Sequence, residues 1–595
     1  MRPSAAGPLD RRTAFGAALI ALAALGVYGW TVGFDFVFDD HIQIERNPWL
    51  RDPDGFRLFL TRPFWGFYHD RGPGPSNYYR PAFGIFYSLL ARVFGLQPAA
   101  FHAASVLLHL GVSLLVALGA RRLVGADAAA LAAGLLFAVH PAHAEAVAWV
   151  GGQADLLMAL FSLMALLAYL THKDGSALRR RAAVAGPLAY LLACLSKEPG
   201  AALILVLGAV EAAEWRREGP AGAALRRAAA RLLPYLAVLA VYAALRVHAL
   251  GGFAPRHYSV TSSPAGALAF AGALLARYLV FLVFPFPARV LAWVPTPSLL
   301  SPDALAGLLV ITLALLGLAV AVWSGRARWE SVTPLAVVVA FLLPALAANS
   351  IGGANFAERY LYLPSAGLAW LAGLLWSRLA GALRTASMRR TILAAALGGL
   401  AAAGAAAGIR AGIYCDDLSL FQAAVRVTPR SEIAHNNLGM ALYREGRLDE
   451  AEREYREALR LNPGSVPSLA NLGILLERRG DVAGAKAAFE ETLRRSPAYA
   501  AAALHLARFQ IKEGDRAGAA RRLDALFAAG GESHDALVER ADLYLQEGRP
   551  GAAIPLLEKA VRAFPKRERG RELLTQARRE SRTPPRDLRG RPWSP

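Results

Sequence analysis

Apolar runs with little or no charge recur along this chain from about residue 13 to residue 412, and then stop. A run that crosses a bilayer as a helix needs about 20 residues, and one soluble core has no use for so many. The candidate spans lie at 13–33, 99–120, 126–141, 154–171, 183–196, 199–214, 232–250, 303–323, 332–348, 360–377 and 391–411. The pattern predicts an all-α protein whose first part, 1–412, is a polytopic membrane domain of about eleven spans. A further run at 264–285 has Arg277 inside it. A central Arg costs a span roughly 3 kcal/mol. The run therefore reads as a surface or re-entrant helix, or as a span whose Arg277 faces a polar cavity. Arg11 and Arg12 before the first run also fit a signal peptide, but the many later spans make cleavage unnecessary.

Hydrophobic residues make up 55% of the 595 and charged residues 18%, a balance that points to a membrane. The net charge of +20 raises the question of nucleic acid, but no nucleic-acid motif is present and the positive residues fall into alternate loops. Basic loops hold Arg121/Arg122, Lys173/Arg179/Arg180/Arg181, Arg216/Arg217/Arg226/Arg227, Arg326/Arg328 and Arg384/Arg389/Arg390. Loop 34–80 has six Arg against seven acids, and the turn 140–155 has no Lys or Arg. Basic loops belong in the cytoplasm. That rule puts the N-terminus inside and loop 34–80 outside. With 264–285 not crossing, everything after 412 is outside as well. Cys194 and Cys415 build neither a disulfide framework nor a CxxC metal site.

The last part follows a different rule. "NNLGMALYREGRLDEAEREYREALRLNP" from Asn436 and "ANLGILLERRGDVAGAKAAFEETLRRSP" from Ala470 match at a shift of 34 residues. Gly439/Gly473, Gly446/Gly480, Ala451/Ala485, Tyr455/Phe489 and Pro463/Pro497 align. A 34-residue helix–turn–helix period is the tetratricopeptide signature. Four units are expected at 432–465, 466–499, 500–533 and 534–567, forming an α-solenoid after a linker at 413–431. The third unit is degenerate, with Gly531 where Pro is expected. Such a stack usually binds protein or peptide in its concave groove, the plainer use being a spacer or an oligomerisation arm. After Pro565 the chain carries ten Lys/Arg against four acids. Residues 568–595 read as a basic, disordered tail.

Under this topology many titratable residues meet the outer boundary. They are Asp39, Asp40, His41 and Arg80 in loop 34–80; His140, His143, Glu145 and Asp155 in "HPAHAEAVAWVGGQAD"; Lys197 and Glu198 in "LSKEPG"; and Glu358, Arg359 and Tyr360 in "NFAERYLYLPS". Ionisable groups at membrane depth are expensive and are usually functional or paired. Arg359 and Lys197 suit a phosphate, and a carboxylate can take a proton from an acceptor hydroxyl. Together these describe group transfer from a lipid phosphate to a hydroxyl. His140, His143 and Glu145 could hold a metal, but the spacing matches no standard site, and interfacial hydrogen bonding is the favoured reading.

"FVFDDHIQIERNPWL", "YYRPAFGIFYSLL", "LLFAVHPAHAEAVAWVGGQADLL", "LLACLSKEPG", "AERYLYLPSAG" and a following tetratricopeptide array occur in that order. Over about 30–567 the chain resembles the transmembrane and tetratricopeptide-repeat O-mannosyltransferases and their bacterial relatives, which belong to the C-type, multi-span glycosyltransferases. The resemblance implies transfer of a sugar, mannose first, from a polyprenyl-phosphate donor to Ser or Thr of an acceptor protein. It implies Asp39 as general base with Asp40 in support. It puts Arg359 at the lipid phosphate with Lys197, Glu198 and Arg80 on the donor, and leaves His140, His143, Glu145, Asp155 and Tyr360 as supporting residues. No metal ligands are assigned, and a divalent cation stays open. The implied partners are the lipid donor, membrane lipid and an acceptor protein held by the repeats. The Ala-, Arg- and Gly-rich composition suits a bacterium, with the site and repeats on the periplasmic face of the inner membrane. The competing readings are a membrane-anchored scaffold, a transferase acting on lipid or glycan, and a transporter. The last would need charges near mid-span on both faces.

Overall fold

A computed structural model describes residues 11–67, 76–173, 178–215, 217, 219–252, 263–290, 297–298, 300–323, 328–347, 356–382, 385–563 and 567–582. They form helices and turns, with no β-strand among them. The chain divides into two compact units, Met1–Trp65 with Pro75–Thr428, and Gly66–Gly74 with Pro429–Pro595.

The first unit opens with α1 (Arg11–Tyr28), α2 (Gly55–Thr61), α3 (Pro81–Phe94), α4 (Pro98–Val124), α5 (Asp127–Ala138), α6 (Ala144–Ala148), α7 (Gln153–Lys173) and α8 (Arg179–Ser196). It continues with α9 (Leu203–Glu214), α10 (Ala221–Leu250), α11 (Pro264–Val283), α12 (Pro302–Trp323), α13 (Trp329–Ala347), α14 (Pro364–Ala382), α15 (Ala386–Ala411) and α16 (Asp417–Val427). By length and apolarity, seven described segments can cross a membrane: Arg11–Gly33, Pro98–Val124, Val150–Lys173, Ala221–Leu250, Pro264–Val283, Trp329–Leu346 and Ala386–Tyr414. An eighth is added if Asp127–Ala138 and Pro141–Ala148, bent by 50°, count as one span. The remaining expected runs are helical too, but α9 has 12 residues and α8 opens on three Arg. Helix length alone thus carries fewer crossings than the eleven expected. Arg277 does not face a polar cavity; it is exposed on α11 and pairs with Asp303 of α12 at 2.8 Å.

Close approach of small residues replaces the hydrophobic effect inside a membrane bundle. Trp370 of α14, fully buried, lies so close to Gly119 of α4 that a Cβ there would come within 2.6 Å of its ring. Its indole N–H donates to the Val116 carbonyl at 2.8 Å.

The two ends of the bundle differ. At one end Glu211 of α9 accepts Lys173 of α7 at 3.1 Å and pairs with Arg231 of α10. There too the Trp329 N–H donates to Glu214 at 3.4 Å, and Arg122 lies over the Trp329 ring. These are the loops that the Lys/Arg bias assigns to the cytoplasm. The other end holds loop 34–80, and the chain returns to it after α15: Asp35 N–H donates to the Cys415 carbonyl at 3.0 Å. The first unit is therefore left on the face that carries Asp39. Segment 413–431, expected as a linker, contains α16, whose Phe421 is buried with its ring 6.0 Å from that of Phe38.

The second unit is a stack of helix pairs: α17 (Glu432–Arg444) with α18 (Leu448–Leu461), α19 (Val466–Arg478) with α20 (Val482–Arg495), α21 (Ala500–Lys512) with α22 (Arg516–Ala528), and α23 (His534–Gln546) with α24 (Pro550–Ala563). The turn inside each pair is closed by a glycine at positive φ, at 446, 480, 514 and 548, the left-handed helix stop that carries no Cβ penalty in glycine. Gly531 has a packing reason of its own, since a Cβ there would meet the Ala498 carbonyl at 2.4 Å. Residues 568–582 are not a disordered tail; they form α25 (Glu568–Arg582), with Ala577 buried beside Leu557 and Ala560. The rest of the expected tail, 583–595, lies outside the described residues.

Removing one partner of a buried ion cluster leaves unpaired charge in a low dielectric. Glu211→Ala is expected to destabilise the protein by about 3 kcal/mol, read as a fall in thermal unfolding temperature in detergent, with Ser387→Ala on the exposed end of α15 as the neutral control.

Candidate functional site

The site begins with a tight turn, Val37–Asp40. The Val37 carbonyl accepts the Asp40 N–H at 3.0 Å, and Asp40 Oδ2 accepts the Val37 N–H at 3.2 Å. Phe38 sits at φ 55°, a left-handed conformation that favours glycine or asparagine. A strain of about 1–3 kcal/mol persists at such a position only when its surroundings fix it. Here the Phe38 ring packs 6.2 Å from Trp149 and 6.0 Å from Phe421, and its N–H donates to Asp417 Oδ1 at 2.8 Å.

The two acids of the turn divide. Asp40 is fully buried, and its second oxygen has no hydrogen-bond partner. Burial raises its pKa well above the carboxylate range, against the opposing pull of the Val37 N–H. Asp39, at the tip, is half-buried and is the accessible member of the pair. His41 follows, with Nδ1 2.7 Å from Glu45 and Nε2 3.1 Å from Asp417.

Beside this turn lies a pocket of about 180 Å³. Arg80, Lys197 and Arg359 supply its cations, and Met158, Phe341, Ala345 and Leu363 its apolar wall. Each cation is held by a carboxylate from another part of the chain. Arg80, just before α3, binds Glu198 through Nε and Nη2 at 2.9 and 2.8 Å. Lys197 Nζ lies 2.6 Å from both oxygens of Asp155 on α7. Arg359 pairs with Glu145 of α6, which also accepts the Arg359 backbone N–H at 3.0 Å. The Tyr360 ring lies 5.1 Å from Lys197 and 5.1 Å from Arg359. Trp149 links pocket to turn, since its ring touches both Arg359, at 5.2 Å, and Phe38.

The sequence-predicted residues Arg80, Glu145, Asp155, Lys197, Glu198, Arg359 and Tyr360 are thus brought together. Asp39 and Asp40 stand one aromatic ring away and do not line the pocket. His140 and His143 are not part of it. Both are buried and turned toward the helices: His140 Nε2 meets the Leu282 carbonyl at 3.0 Å, and His143 Nε2 meets Ser365 at 2.7 Å. Their supporting role is packing, because "HPAH" forms a 3-10 turn that points both rings inward. No group of three or more His, Cys, Asp or Glu placed to hold a metal occurs among the described residues.

Four contacts around the site were not read from the sequence, although Glu358 itself was placed at the outer boundary. Arg246 of α10 donates to the Asn77 carbonyl at 2.7 Å and lies 3.7 Å from Glu198; an Arg inside the 232–250 run was the signal for it. Tyr78 lies under Arg80, 4.5 Å from guanidinium carbon to ring centre. Glu358 pairs with Arg410 of α15 and accepts the Arg289 N–H, which fixes the turn that carries Arg359. Asp417 is the fourth. Around the pocket Arg80, Lys197, Arg246 and Arg359 face Glu145, Asp155 and Glu198, which leaves a surplus of positive charge for an anion.

Models of the tetratricopeptide repeat match residues 433–465, 476–534 and 510–568. Protein O-mannosyl-transferase F38B6.6 of Caenorhabditis elegans is 26% identical over 458 residues, 73% of this chain and 61% of that protein. Human protein O-mannosyl-transferase TMTC4 is 29% identical over 478 residues, 71% of this chain and 63% of its own. This chain is a relative of the protein O-mannosyl-transferases. Protein O-mannosyl-transferase Tmtc1 of Drosophila melanogaster is 36% identical over a shorter stretch of 172 residues, 29% of this chain and 20% of that protein. The chain spans less than two thirds of the length of these protein O-mannosyl-transferases.

Burial, with Arg80 and Arg359 close by, outweighs Asp155 and lowers the Lys197 pKa to about 8. Lys197 is therefore a cation below that pH and loses its charge above it. Affinity for a short-chain prenyl phosphate, measured by calorimetric titration, is expected to fall as pH rises through about 8, by roughly tenfold for one charge-assisted contact. Lys197→Arg, which keeps its charge, is expected to flatten that limb.

Proposed function

We propose that this chain is an integral-membrane glycosyltransferase that moves a sugar, mannose first among candidates, from a polyprenyl-phosphate donor to a Ser or Thr hydroxyl of an acceptor protein. The observation that carries this reading is the pairing of an accessible carboxylate on a strained turn with a cationic, apolar-walled pocket next to it. The relatives' names point the same way.

The lipid phosphate lies against Arg359, Lys197 and Arg80, with the prenyl chain along the apolar wall. The acceptor hydroxyl comes from the water side to Asp39. Its oxygen attacks the anomeric carbon opposite the phosphate, and the bond from that carbon to the phosphate oxygen breaks. Asp39 takes the hydroxyl proton, a contribution of roughly 10²–10⁴-fold when a positioned base is used. Charge growing on the departing phosphate meets cations already fixed by Glu145, Asp155 and Glu198, so little reorganisation is needed. Asp40 holds the turn. A divalent cation would meet Asp39 first, since Asp40 is buried and the pocket carboxylates are already committed to Arg and Lys.

The basic end of the bundle faces the cytoplasm by the Lys/Arg bias. The acid turn then faces outward, toward the periplasm if the cell is bacterial. Because the chain leaves the first unit on that face, the repeats follow on the acceptor's side and capture it.

The test uses the full chain in liposomes with labelled polyprenyl-phosphate mannose, then other sugars, and an envelope protein extract. Label on protein from wild type is expected, with roughly 10²–10⁴-fold less from Asp39→Asn and unchanged binding of prenyl phosphate. Label on lipid or glycan would change the acceptor. No label from a folded protein with any donor would favour a membrane-anchored tetratricopeptide scaffold. The assay repeated with EDTA decides the part of a divalent cation.

A further inference from the structure

The acid turn is held from outside itself, by α16. Asp416 caps that helix, its Oδ1 accepting the Ser419 N–H at 2.7 Å. The helix start is thereby satisfied without the next residue, Asp417. Both oxygens of Asp417 go instead to the turn: Oδ1 accepts the Phe38 N–H at 2.8 Å and Oδ2 lies 3.1 Å from His41 Nε2. The same carboxylate thus grips the residue before the acid pair and the residue after it. Asp35 N–H on the Cys415 carbonyl and the Phe38–Phe421 ring contact bind the two segments on either side. Nothing in Val37–Asp40 supplies a glycine to relax the positive φ, so the conformation depends on what grips it.

We propose that Asp417 is a positioning residue for Asp39: through the Phe38 amide and the His41 ring it fixes the strained turn that presents the base. This rests on the transferase reading above. Asp417 lines no part of the pocket, so its loss acts on the reacting geometry and leaves the donor's phosphate contacts in place. Misplacing a reacting group by about 1 Å costs on the order of 10²-fold in rate, whereas a residue needed only for folding would lower the amount of active protein and leave the kinetic constants of the remainder alone.

The experiment measures two things on the full chain in liposomes: transfer from labelled polyprenyl-phosphate mannose, and amide hydrogen exchange read by mass spectrometry. For Asp417→Ala we expect turnover at saturating donor to fall roughly 10–100-fold, with the donor KM within about threefold of wild type. We also expect faster exchange confined to 34–46. Asp417→Asn keeps an oxygen for the Phe38 amide and is expected to fall between the two; it also serves if the alanine variant does not fold. Unchanged turnover and unchanged exchange at 34–46 would overturn the proposal. So would exchange that rises throughout the first unit with unchanged kinetic constants per folded molecule. If wild type transfers from no donor, the transferase reading fails, and exchange alone decides the clamp: acceleration confined to 34–46 keeps it, and no change removes it.

Discussion

The candidate site is organised by the pairing of each buried cation with an opposite charge from another segment of the chain. An unpaired ion at low dielectric costs several kcal/mol. Arg80, Lys197 and Arg359 therefore arrive with Glu198, Asp155 and Glu145 in place. Each pair joins segments far apart in sequence: the start of α3 with the turn before α9, that same turn with α7, and α6 with the turn before α14. The result is a ring of cations whose positions are set before any ligand arrives. Their charge is partly answered and so tolerable in the resting protein. An anion entering the pocket adds to this ring and need not build it.

The acid turn is supported by other means. Its strain at Phe38 is countered by aromatic packing, an amide-to-carboxylate hydrogen bond and a return of the chain after the last span. Pocket and turn meet through Trp149, an apolar ring that carries no charge of its own. The electrostatic half and the strained half of the site can therefore be altered separately.

Much of this was legible in the sequence. Spans are long local runs and tetratricopeptide units are a fixed period, so both announce themselves without any knowledge of contacts. Loop charge put Glu145, Asp155, Lys197, Glu198 and Arg359 on one face, and the structure brings these five together, with Asp39 one aromatic ring away. Pairings were not legible. The spacing of His140 and His143 gives no hint that a 3-10 turn points both inward. Arg246 was hidden inside an apolar run, Asp417 inside an assumed linker, and α25 inside a basic composition that helix packing overrode. The misses at Arg246 and Asp417 concern partners distant in sequence, which neither periodicity nor composition encodes; those at the HPAH turn and α25 are local geometry and packing on the adjacent helix.

The grip of Asp417 on Phe38 has a consequence for how the protein is made. A membrane chain emerges from the ribosome in order, and its first loop reaches the far side of the bilayer long before residue 417 is synthesised. Until the last span is inserted and α16 has folded back, the turn at Val37–Asp40 lacks the contact that holds its shape. The turn is then fixed last, after the helices that frame it.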